Sequence, residues 1–308
     1  MSEQRPILIA GPTASGKSGL AVRLAERYGG TVINADSVQV YRDLRILTAR
    51  CDAQDEARAP HALFGFVDGA DRYSAGRYIA DAYQALSRAR GEGRRPIFVG
   101  GTGLYLKALL DGLSPIPPVP EDIRRHWRAE AATSGSAALH EILSERDPEM
   151  AARLARSDPQ RLVRALEVLD ATGISLAEWQ RVPGEPVLKQ SEAVCLVISP
   201  DRAELHRRID ARFAAMMAQG ALDEVRALEA LQLDPSLPVM SALGVRPLLQ
   251  HLRGQVSLEE ATGQAQAETR QYAKRQQTWA RSNMITWQWQ SAQEVESLEA
   301  AAIAFIDR

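Results

Sequence analysis

The chain has 308 residues, of which 45% are hydrophobic and 25% are charged, and its formal net charge is −2. These values are typical of a globular protein and exclude disordered, collagen-like and coiled-coil chains. The longest apolar runs, residues 7–10 and 193–198, are far shorter than the roughly 20 residues of a membrane span. The N-terminus has no apolar signal core, and Cys51 and Cys195 stand alone, which predicts a cytoplasmic protein without a disulfide framework or a cysteine zinc site.

The first third of the chain alternates between strand-like apolar runs and segments with helical periodicity. The segments, in order, are residues 6–10, 16–28, 31–35, 75–90, 96–100 and 104–110. Strands that alternate with helices indicate a parallel sheet covered by helices. We therefore predict an α/β fold with a parallel sheet flanked by helices, and the phosphate-loop motif described below makes this prediction P-loop NTPase-like.

A proline-rich stretch at residues 114–120 interrupts this pattern, and the following residues are helical in periodicity up to about residue 181. Within them, Asp147-Pro148 and Asp158-Pro159 have the composition of helix starts. Later segments predict one strand, four helices and a short last strand, beginning near residues 193, 201, 222, 242, 257 and 284, and a closing helix after them. We predict a catalytic core of residues 1–115 and 190–308, with an all-helical insertion domain of residues 116–189.

The first predicted strand leads into a phosphate-loop motif, G-x-x-x-x-G-K-[ST], and a predicted helix follows it. Its residues are Gly11, Pro12, Thr13, Ala14, Ser15, Gly16, Lys17 and Ser18. Backbone N–H groups of such a loop surround phosphate oxygens, Lys17 supplies a charge, and Ser18 is placed to bind Mg²⁺. The motif predicts a polyphosphate ligand: ATP in a kinase, or a diphosphate that departs as a leaving group.

Polar residues follow the second and third predicted strands, at the sheet edge where α/β proteins bind ligands. Asp36 could act there as a Mg²⁺ ligand, as a general base or as a structural helix cap. Thr102 could bring a hydroxyl near the phosphates, and the glycines at 100, 101 and 103 would let the backbone approach a ligand closely.

Two stretches are basic although the chain as a whole is slightly acidic. Residues 269–291 contain no acidic residue, and residues 153–164 contain only Asp158. The first stretch also carries Tyr272 and Trp279 between its cations. These stretches could bind a polyanion locally or could be solvated faces of helices, and charge alone does not decide between them.

Several blocks together resemble the bacterial tRNA dimethylallyltransferase family, from residue 11 to about residue 281. They are the phosphate loop, Ala35-Asp-Ser-Val-Gln-Val-Tyr41, Pro60-His-Ala-Leu63, Gly100-Gly-Thr-Gly-Leu-Tyr105, Asp158-Pro-Gln-Arg-Leu-Val-Arg-Ala-Leu-Glu167 and Thr269-Arg-Gln-Tyr-Ala-Lys-Arg-Gln276. The last two blocks are much more specific than the phosphate loop.

The resemblance implies transfer of a dimethylallyl group from dimethylallyl diphosphate to N6 of the adenosine 3′-adjacent to the tRNA anticodon. Mg²⁺ is the implied cofactor, and ATP is not consumed. The phosphate loop would hold the diphosphate, Asp36 would be the general base, and Thr102 would help to hold the adenine and the diphosphate. Arg124 matches an arginine that reaches into the same site.

The resemblance also implies that the helical insertion clamps the anticodon stem-loop while the target base is extracted. The implied tRNA-binding residues are Asp36, Ser37, Val38, Gln39, Gln160, Arg161, Leu162, Val163, Arg164, Arg246, Arg270, Lys274, Arg275 and Arg281. We expect tRNA and dimethylallyl diphosphate as partners, no membrane, no obligate protein partner, and a monomer.

The chain departs from the family pattern at several positions. It reads Arg45-Ile-Leu-Thr-Ala-Arg50 where Asp-Ile-Gly-Thr-Ala-Lys is common, Val245 replaces a usual tyrosine, and Ala62 follows His61, which we interpret as structural. The alternatives are an adenylate isopentenyltransferase acting on free nucleotides, an ATP-dependent small-molecule kinase and a non-catalytic RNA-binding protein. The 121–181 segment and the 269–276 block argue against the first.

Overall fold

A computed structural model describes residues 5–291 and 295–307 of the chain. Its six-stranded sheet has the order β3-β2-β4-β1-β5-β6, and every neighbouring pair is parallel. The strands within this described part are β1 (Ile7–Ala10), β2 (Gly30–Asn34), β3 (His61–Ala62), β4 (Arg95–Gly100), β5 (Val194–Ile198) and β6 (Gln288–Gln290). The predicted α/β class is confirmed, whereas the two-residue strand β3 was not predicted.

The central strands are buried on both faces, so their sequences are apolar without alternation. In β1, Ile7 and Ile9 face one hydrophobic cluster, while Leu8 and Ala10 face the other. All four side chains are at most 3% exposed. Burial of a large aliphatic side chain contributes about 1.5–3 kcal/mol, which makes this sheet the rigid base for the loops at its carboxyl edge.

Four helices follow the first strands. They are α1 (Lys17–Tyr28), α2 (Ala53–Arg58), α3 (Ala75–Gly91) and α4 (Gly103–Asp111). Helix α1 ends at Gly29, whose positive φ of 62° terminates the helix in the left-handed conformation. Helix α2 was missed in the sequence because its six residues are all exposed or partly exposed and show no apolar stripe.

The chain divides into two compact units, and the second comprises Asp111–Pro186. This unit contains α5 (Glu121–Arg146), α6 (Pro148–Arg153), α7 (Pro159–Thr172) and α8 (Leu176–Trp179). The predicted helix starts are confirmed: the Asp147 carboxylate accepts from the Met150 N–H at 3.0 Å, and that of Asp158 accepts from the Arg161 N–H at 3.2 Å. The unit has a hydrophobic core of its own.

The remaining helices return to the first unit. They are α9 (Arg202–Ala218), α10 (Ala221–Ala230), α11 (Val245–Leu252), α12 (Leu258–Asn283) and α13 (Val295–Ile306). Ser257 and Glu260 form a reciprocal capping box at the start of α12. Helix α12 packs against both α9 and α11, which places it beside the carboxyl edge of the sheet.

None of the helices in the described part of the chain is both long and apolar enough to cross a membrane.

Candidate active site

The phosphate loop lies between β1 and α1, as the motif predicted. A side chain at Gly11 would place its Cβ 2.7 Å from the carbonyl oxygen of Ile198, so only glycine fits there. Gly16 has a φ of 90°, and Ala14 adopts a left-handed φ of 62°, which is unusual for a residue with a side chain. Ala14 packs against a small cluster formed by Leu205, Ile209 and Ala273. The loop is therefore held in its curved shape by α9 and α12.

Lys17 is buried at the start of α1, and its ammonium group donates to the carbonyl oxygen of Pro12 at 3.2 Å. Burial lowers the pKa of Lys17 to about 8, the charge of Asp36 opposes this shift, and the charge of Arg212 adds to it. The charge of the Lys17 ammonium group is thus only partly compensated, and an anionic ligand in the loop would compensate it further. The next residue, Ser18, is exposed on the first turn of the helix.

Asp36 is positioned by the fully buried Asn34 at the end of β2. The Asn34 amide accepts from the Asp36 N–H at 2.8 Å and donates to the Asp36 carbonyl oxygen at 3.0 Å. One carboxylate oxygen of Asp36 accepts from the Val38 N–H at 3.0 Å, closing a turn. No described helix begins at this turn, so the helix-cap alternative for Asp36 is wrong.

Thr102 and the Asp36 turn meet at the sheet edge, as expected for loops that follow neighbouring parallel strands. The Thr102 hydroxyl accepts from the Ser37 N–H at 2.9 Å and donates to the Ser37 hydroxyl at 3.1 Å. The Thr102 N–H donates to the Ala35 carbonyl oxygen at 3.3 Å. Thr102 therefore fixes the turn that carries Asp36, in addition to facing the cavity described below.

The glycines around Thr102 are required by packing contacts that we did not predict. A Cβ at Gly100 would lie 2.0 Å from the Ala35 carbonyl oxygen, and one at Gly101 would lie 2.1 Å from Nε2 of Gln276. A Cβ at Gly103 would lie 2.1 Å from the Trp279 ring. Close approach by Ala35 and by α12 requires glycine at these positions, and the same three glycines line the cavity described below, so their predicted role in the approach of a ligand stays a prediction.

Gln276 on α12 joins the two glycine-containing loops. Its carboxamide oxygen accepts from the Thr13 N–H at 2.9 Å, and its Nε2 donates to the Gly101 carbonyl oxygen at 2.9 Å. Gln276 belongs to one of the family-like sequence blocks, but its inward contacts were not predicted. Helical spacing does place it on the same side of α12 as Tyr272 and Trp279.

Arg212 on α9 is a further residue of the site that sequence reasoning missed. Its guanidinium donates to the Thr13 hydroxyl. Burial lowers the pKa of Arg212, and the charge of Asp36 opposes that shift. Arg212, Lys17 and Asp36 thus form one electrostatic group. A single arginine within a helix carries no sequence signal, since its position depends on how α9 packs against the loop.

A cavity of about 230 Å³ adjoins the phosphate loop and the Thr102 loop. Its walls are mainly apolar, with Leu104, Leu106, Trp279 and Met284 facing Gly101 and the neighbouring backbone. Arg275 and Tyr272 also line it, and the Arg275 guanidinium carbon lies 5.6 Å from the Tyr272 ring centroid. The cavity offers room for a small apolar group directly beside the phosphate-binding backbone.

A larger groove of about 910 Å³ runs along the opposite side of α12. Arg270, Lys274 and Arg281 line it together with Arg202 and His206. Arg270 forms an ion pair with Asp210, whereas Lys274 and Arg281 are exposed. The four cations that we predicted on this helix are therefore divided: Arg275 lines the apolar cavity, and the other three line the basic groove.

The residues predicted to contact RNA in the helical unit differ in exposure. Gln160 and Arg161 are exposed, and Arg161 lies 3.3 Å from the Asp158 carboxylate. Arg164 pairs with Glu167 at 3.6 Å. Leu162 is fully buried in the hydrophobic core of the unit, and Val163 packs against that core. The prediction of RNA contact is corrected for the Leu162 side chain, because a core residue cannot present its side chain to a ligand.

Two other predicted residues are engaged in ion pairs. Arg124 lies 3.9 Å from Glu121 in the first turn of α5, and Arg246 lies 3.6 Å from Glu268. Gln39 donates from its side chain to the carbonyl oxygens of Thr48 and Ala49, at 2.8 and 3.3 Å. The structure therefore uses the Gln39 side chain to tie down the following loop.

That loop is the Arg45–Arg50 departure from the family pattern, and it has its own supports. The Glu224 carboxylate accepts from the backbone N–H groups of Ile46 and Leu47, both at 2.9 Å. Arg50 donates to the Tyr41 carbonyl oxygen at 3.0 Å.

The other two departures are also accommodated. Val245 begins α11 and is fully buried. His61 contacts the Ala59 carbonyl oxygen through Nδ1 at 2.8 Å and the Phe64 ring edge-on, in line with the structural role that we predicted.

Comparison with known proteins shows which family has a similar sequence. The sequence profile of the IPP transferase family matches residues 39–283, and that of isopentenyl transferase matches residues 5–58. The chain belongs to the IPP transferase family. A tRNA dimethylallyltransferase from Parvibaculum lavamentivorans is 50% identical over 303 residues, covering 98% of this chain and 96% of the relative.

Two solved structures extend the similarity. The full-length tRNA isopentenylpyrophosphate transferase from Bacillus halodurans has a TM-score of 0.69 and 31% identity, covering 99% of this chain and 97% of its own. A eukaryotic dimethylallyltransferase acting on tRNA has a TM-score of 0.77 and 29% identity, covering 90% of this chain and 70% of its own. The fold and the family of this chain thus agree with the resemblance seen in its motifs.

Proposed function

We propose that this member of the IPP transferase family transfers the dimethylallyl group of dimethylallyl diphosphate to N6 of the adenosine 3′-adjacent to the anticodon in tRNA. The observation that carries this proposal is the meeting of a phosphate loop, an apolar cavity and the Asp36–Thr102 pair at one edge of the sheet. A small, mainly apolar cavity beside the phosphate loop suits a short hydrocarbon chain attached to a diphosphate. The curated relative described above, a tRNA dimethylallyltransferase, supports the same activity.

The diphosphate would lie in the phosphate loop, next to Lys17 and Arg212. Both cations are held where burial disfavours their charge, so a doubly or triply charged ligand would relieve an existing cost. They would also stabilise the charge that grows on the leaving diphosphate, which is where electrostatic catalysis is most effective. The five-carbon tail would extend into the apolar cavity lined by Leu106 and Met284.

Mg²⁺ would be held by phosphate oxygens of the substrate and by the exposed hydroxyl of Ser18. Among the described residues, no group of three or more His, Cys, Asp or Glu side chains is arranged to hold a metal ion. That donor set fits Mg²⁺, which commonly binds through one or two protein oxygens together with substrate phosphates and water. When bound, the ion would neutralise part of the diphosphate charge.

Asp36 would accept the proton that leaves N6. In the reaction, the N6 lone pair forms a bond to the terminal carbon of the dimethylallyl group, and the bond from that carbon to the diphosphate oxygen breaks. The N6 proton passes to the Asp36 carboxylate, so the charges balance. A purine amine is a weak nucleophile, so base assistance and exact placement by Thr102 and its neighbours should both contribute.

The RNA would be bound by the helical unit and by the cations of α12. Gln160, Arg161 and Arg164 present polar atoms from the helical unit, and Lys274 and Arg281 do so from the basic groove. Arg246 would exchange its present partner Glu268 for an RNA phosphate. Arg124, our candidate catalytic arginine, would exchange Glu121 for the substrate. The target base has to leave its stack to reach Asp36, as in other base-modifying enzymes. We further propose that the enzyme acts in the cytoplasm as a monomer.

In the test, purified protein is incubated with Mg²⁺, labelled dimethylallyl diphosphate and one of four acceptors. The acceptors are unmodified tRNA, tRNA lacking the adenosine 3′ of the anticodon, AMP and ATP. We expect label in the intact tRNA alone. Label in AMP or ATP would instead assign the chain to nucleotide prenylation, which the isopentenyl transferase match at residues 5–58 keeps as the second candidate. Absence of transfer to any acceptor would refute both.

A further inference from the structure

Gln276 stands between the two halves of the proposed reaction. The Thr13 loop would carry the departing diphosphate, while the Gly101 loop adjoins Thr102 and Asp36, which would handle the acceptor amine. A single planar carboxamide bonds to both loops at 2.9 Å. Its Nε2 would lie only 2.1 Å from a Cβ at residue 101, which shows how closely the side chain is seated.

We propose that Gln276 is a positioning residue that sets the spacing between the diphosphate loop and the acceptor loop. This inference rests on the proposed prenyl transfer. The Thr13 N–H, which a phosphate-loop motif would otherwise offer to a ligand, is given to Gln276 instead. A backbone N–H that could bind phosphate is therefore used to hold the two loops together. This use weakens phosphate binding and favours alignment of the two substrates.

The surroundings restrict how Gln276 can move. Trp279, one turn further along α12, packs so closely on Gly103 that a Cβ there would lie 2.1 Å from its ring. Ala273, one turn earlier, packs against Ala14 of the phosphate loop. The backbone of α12 is thus fixed against both loops on either side of Gln276. The distance that the Gln276 carboxamide can span is therefore defined.

The expected consequence concerns turnover more than binding. Transfer requires the N6 nitrogen to approach the terminal carbon to about 3–3.5 Å, and misplacement by 1 Å can cost on the order of 100-fold in rate. A change of loop spacing leaves the diphosphate-binding backbone and the RNA-binding surfaces intact. Loss of the bridge should therefore lower kcat and leave the KM of each substrate almost unchanged.

The first experiment compares Gln276→Met, which keeps the length of the side chain and removes both hydrogen bonds, with Gln264→Met on the exposed side of the same helix. We expect kcat for transfer to an anticodon stem-loop RNA to fall at least tenfold in Gln276→Met, with both KM values within about threefold of wild type. Gln264→Met should match wild type. An unchanged kcat, or a loss carried by KM, would overturn the positioning role.

The second experiment tests the contact itself. Gly101→Ala should push the amide away and lower kcat, because the added Cβ would collide with Nε2. In the double variant Gly101→Ala/Gln276→Ala the collision is gone, so its kcat should equal that of Gln276→Ala alone within about threefold. Losses that multiply would mean that Gly101 acts independently of Gln276, which would overturn the inference.

Folding and the proposed function are checked separately. Thermal unfolding of each variant shows whether the fold persists, and if Gln276→Met does not fold, Gln276→Leu takes its place. That variant is also uncharged and also lacks both hydrogen-bonding groups, so the same fall in kcat is expected. If wild-type protein transfers no label to RNA, the proposed function fails. If wild type is active and the variants equal it, the inference about Gln276 alone fails.

Discussion

The two sides of α12 differ in how their polar side chains are held. On the side facing the apolar cavity, Gln276 and Trp279 are half-buried and fixed against glycines of the Thr102 loop. On the side facing the basic groove, Lys274 and Arg281 are exposed. Fixed groups suit chemistry, which depends on tenths of an ångström, whereas exposed cations suit a polyanion whose path varies. Under the proposed function, one helix would serve both needs through its 3.6-residue periodicity.

The sharpest test of the cavity side is Asp36→Asn. The amide keeps the shape of the carboxylate and cannot accept the N6 proton, so we expect the single-turnover rate to fall by about 10²–10⁴-fold. Asn34 holds the backbone of residue 36 through groups that the change leaves intact. Binding of the stem-loop RNA, measured by fluorescence anisotropy, should stay within about threefold of wild type.

The matched control for that variant is Asp43→Asn, on the loop that follows the same turn. Asp43 accepts from the Gly69 N–H, away from the phosphate loop, and its loss should leave the transfer rate unchanged. If Asp36→Asn retains full single-turnover chemistry, Asp36 is not the base, and the fixed geometry of this side would serve substrate placement alone.

The next largest effect comes from pH and concerns Lys17. Burial makes its cationic form less favourable in the folded chain than in water, so the folded pKa lies at about 8 rather than 10.5. Below pH 8 the charged side chain attracts the diphosphate, and above it the charge is lost. We expect kcat/KM for dimethylallyl diphosphate, measured from pH 6.5 to 9.5, to decline by roughly tenfold per pH unit above the pKa of the free enzyme.

Lys17→Arg separates this effect from the titration of other groups. An arginine stays charged throughout that range, so the decline should disappear even if the maximum rate is lower. A decline that persists in Lys17→Arg would assign the titration elsewhere. The same comparison made with kcat should show a weaker pH dependence, because bound diphosphate supplies the counter-charge that the buried ammonium lacks.

Local features of this site could be predicted from the sequence, and features that depend on packing could not. The strand–loop–helix context of Lys17 is local, and the meeting of Asp36 with Thr102 follows from parallel strands whose ends share an edge. The contacts of Arg212 and Gln276 depend on how α9 and α12 pack against the loops, and the spacing of residues in the sequence does not predict that packing. The packing contacts that require glycine beside Thr102 could not be predicted for the same reason, since the helix that approaches them lies far away in sequence.

The smallest expected effects belong to the exposed cations, and they decide whether the RNA uses one side of α12 or both. We compare Arg275→Ala, beside the cavity, with Arg281→Ala, in the basic groove, and with Arg226→Ala on α10 as the control. Each lost phosphate contact should raise the KM for tRNA a few-fold and make the plot of log affinity against log salt shallower by about 0.7–0.9. Arg226→Ala should change neither quantity.

If both Arg275→Ala and Arg281→Ala show shallower slopes, the RNA backbone passes on both sides of the helix. If the slope of Arg281→Ala equals that of wild type, the groove lies outside the RNA path, and the contrast between the two sides of α12 would have to be explained without RNA.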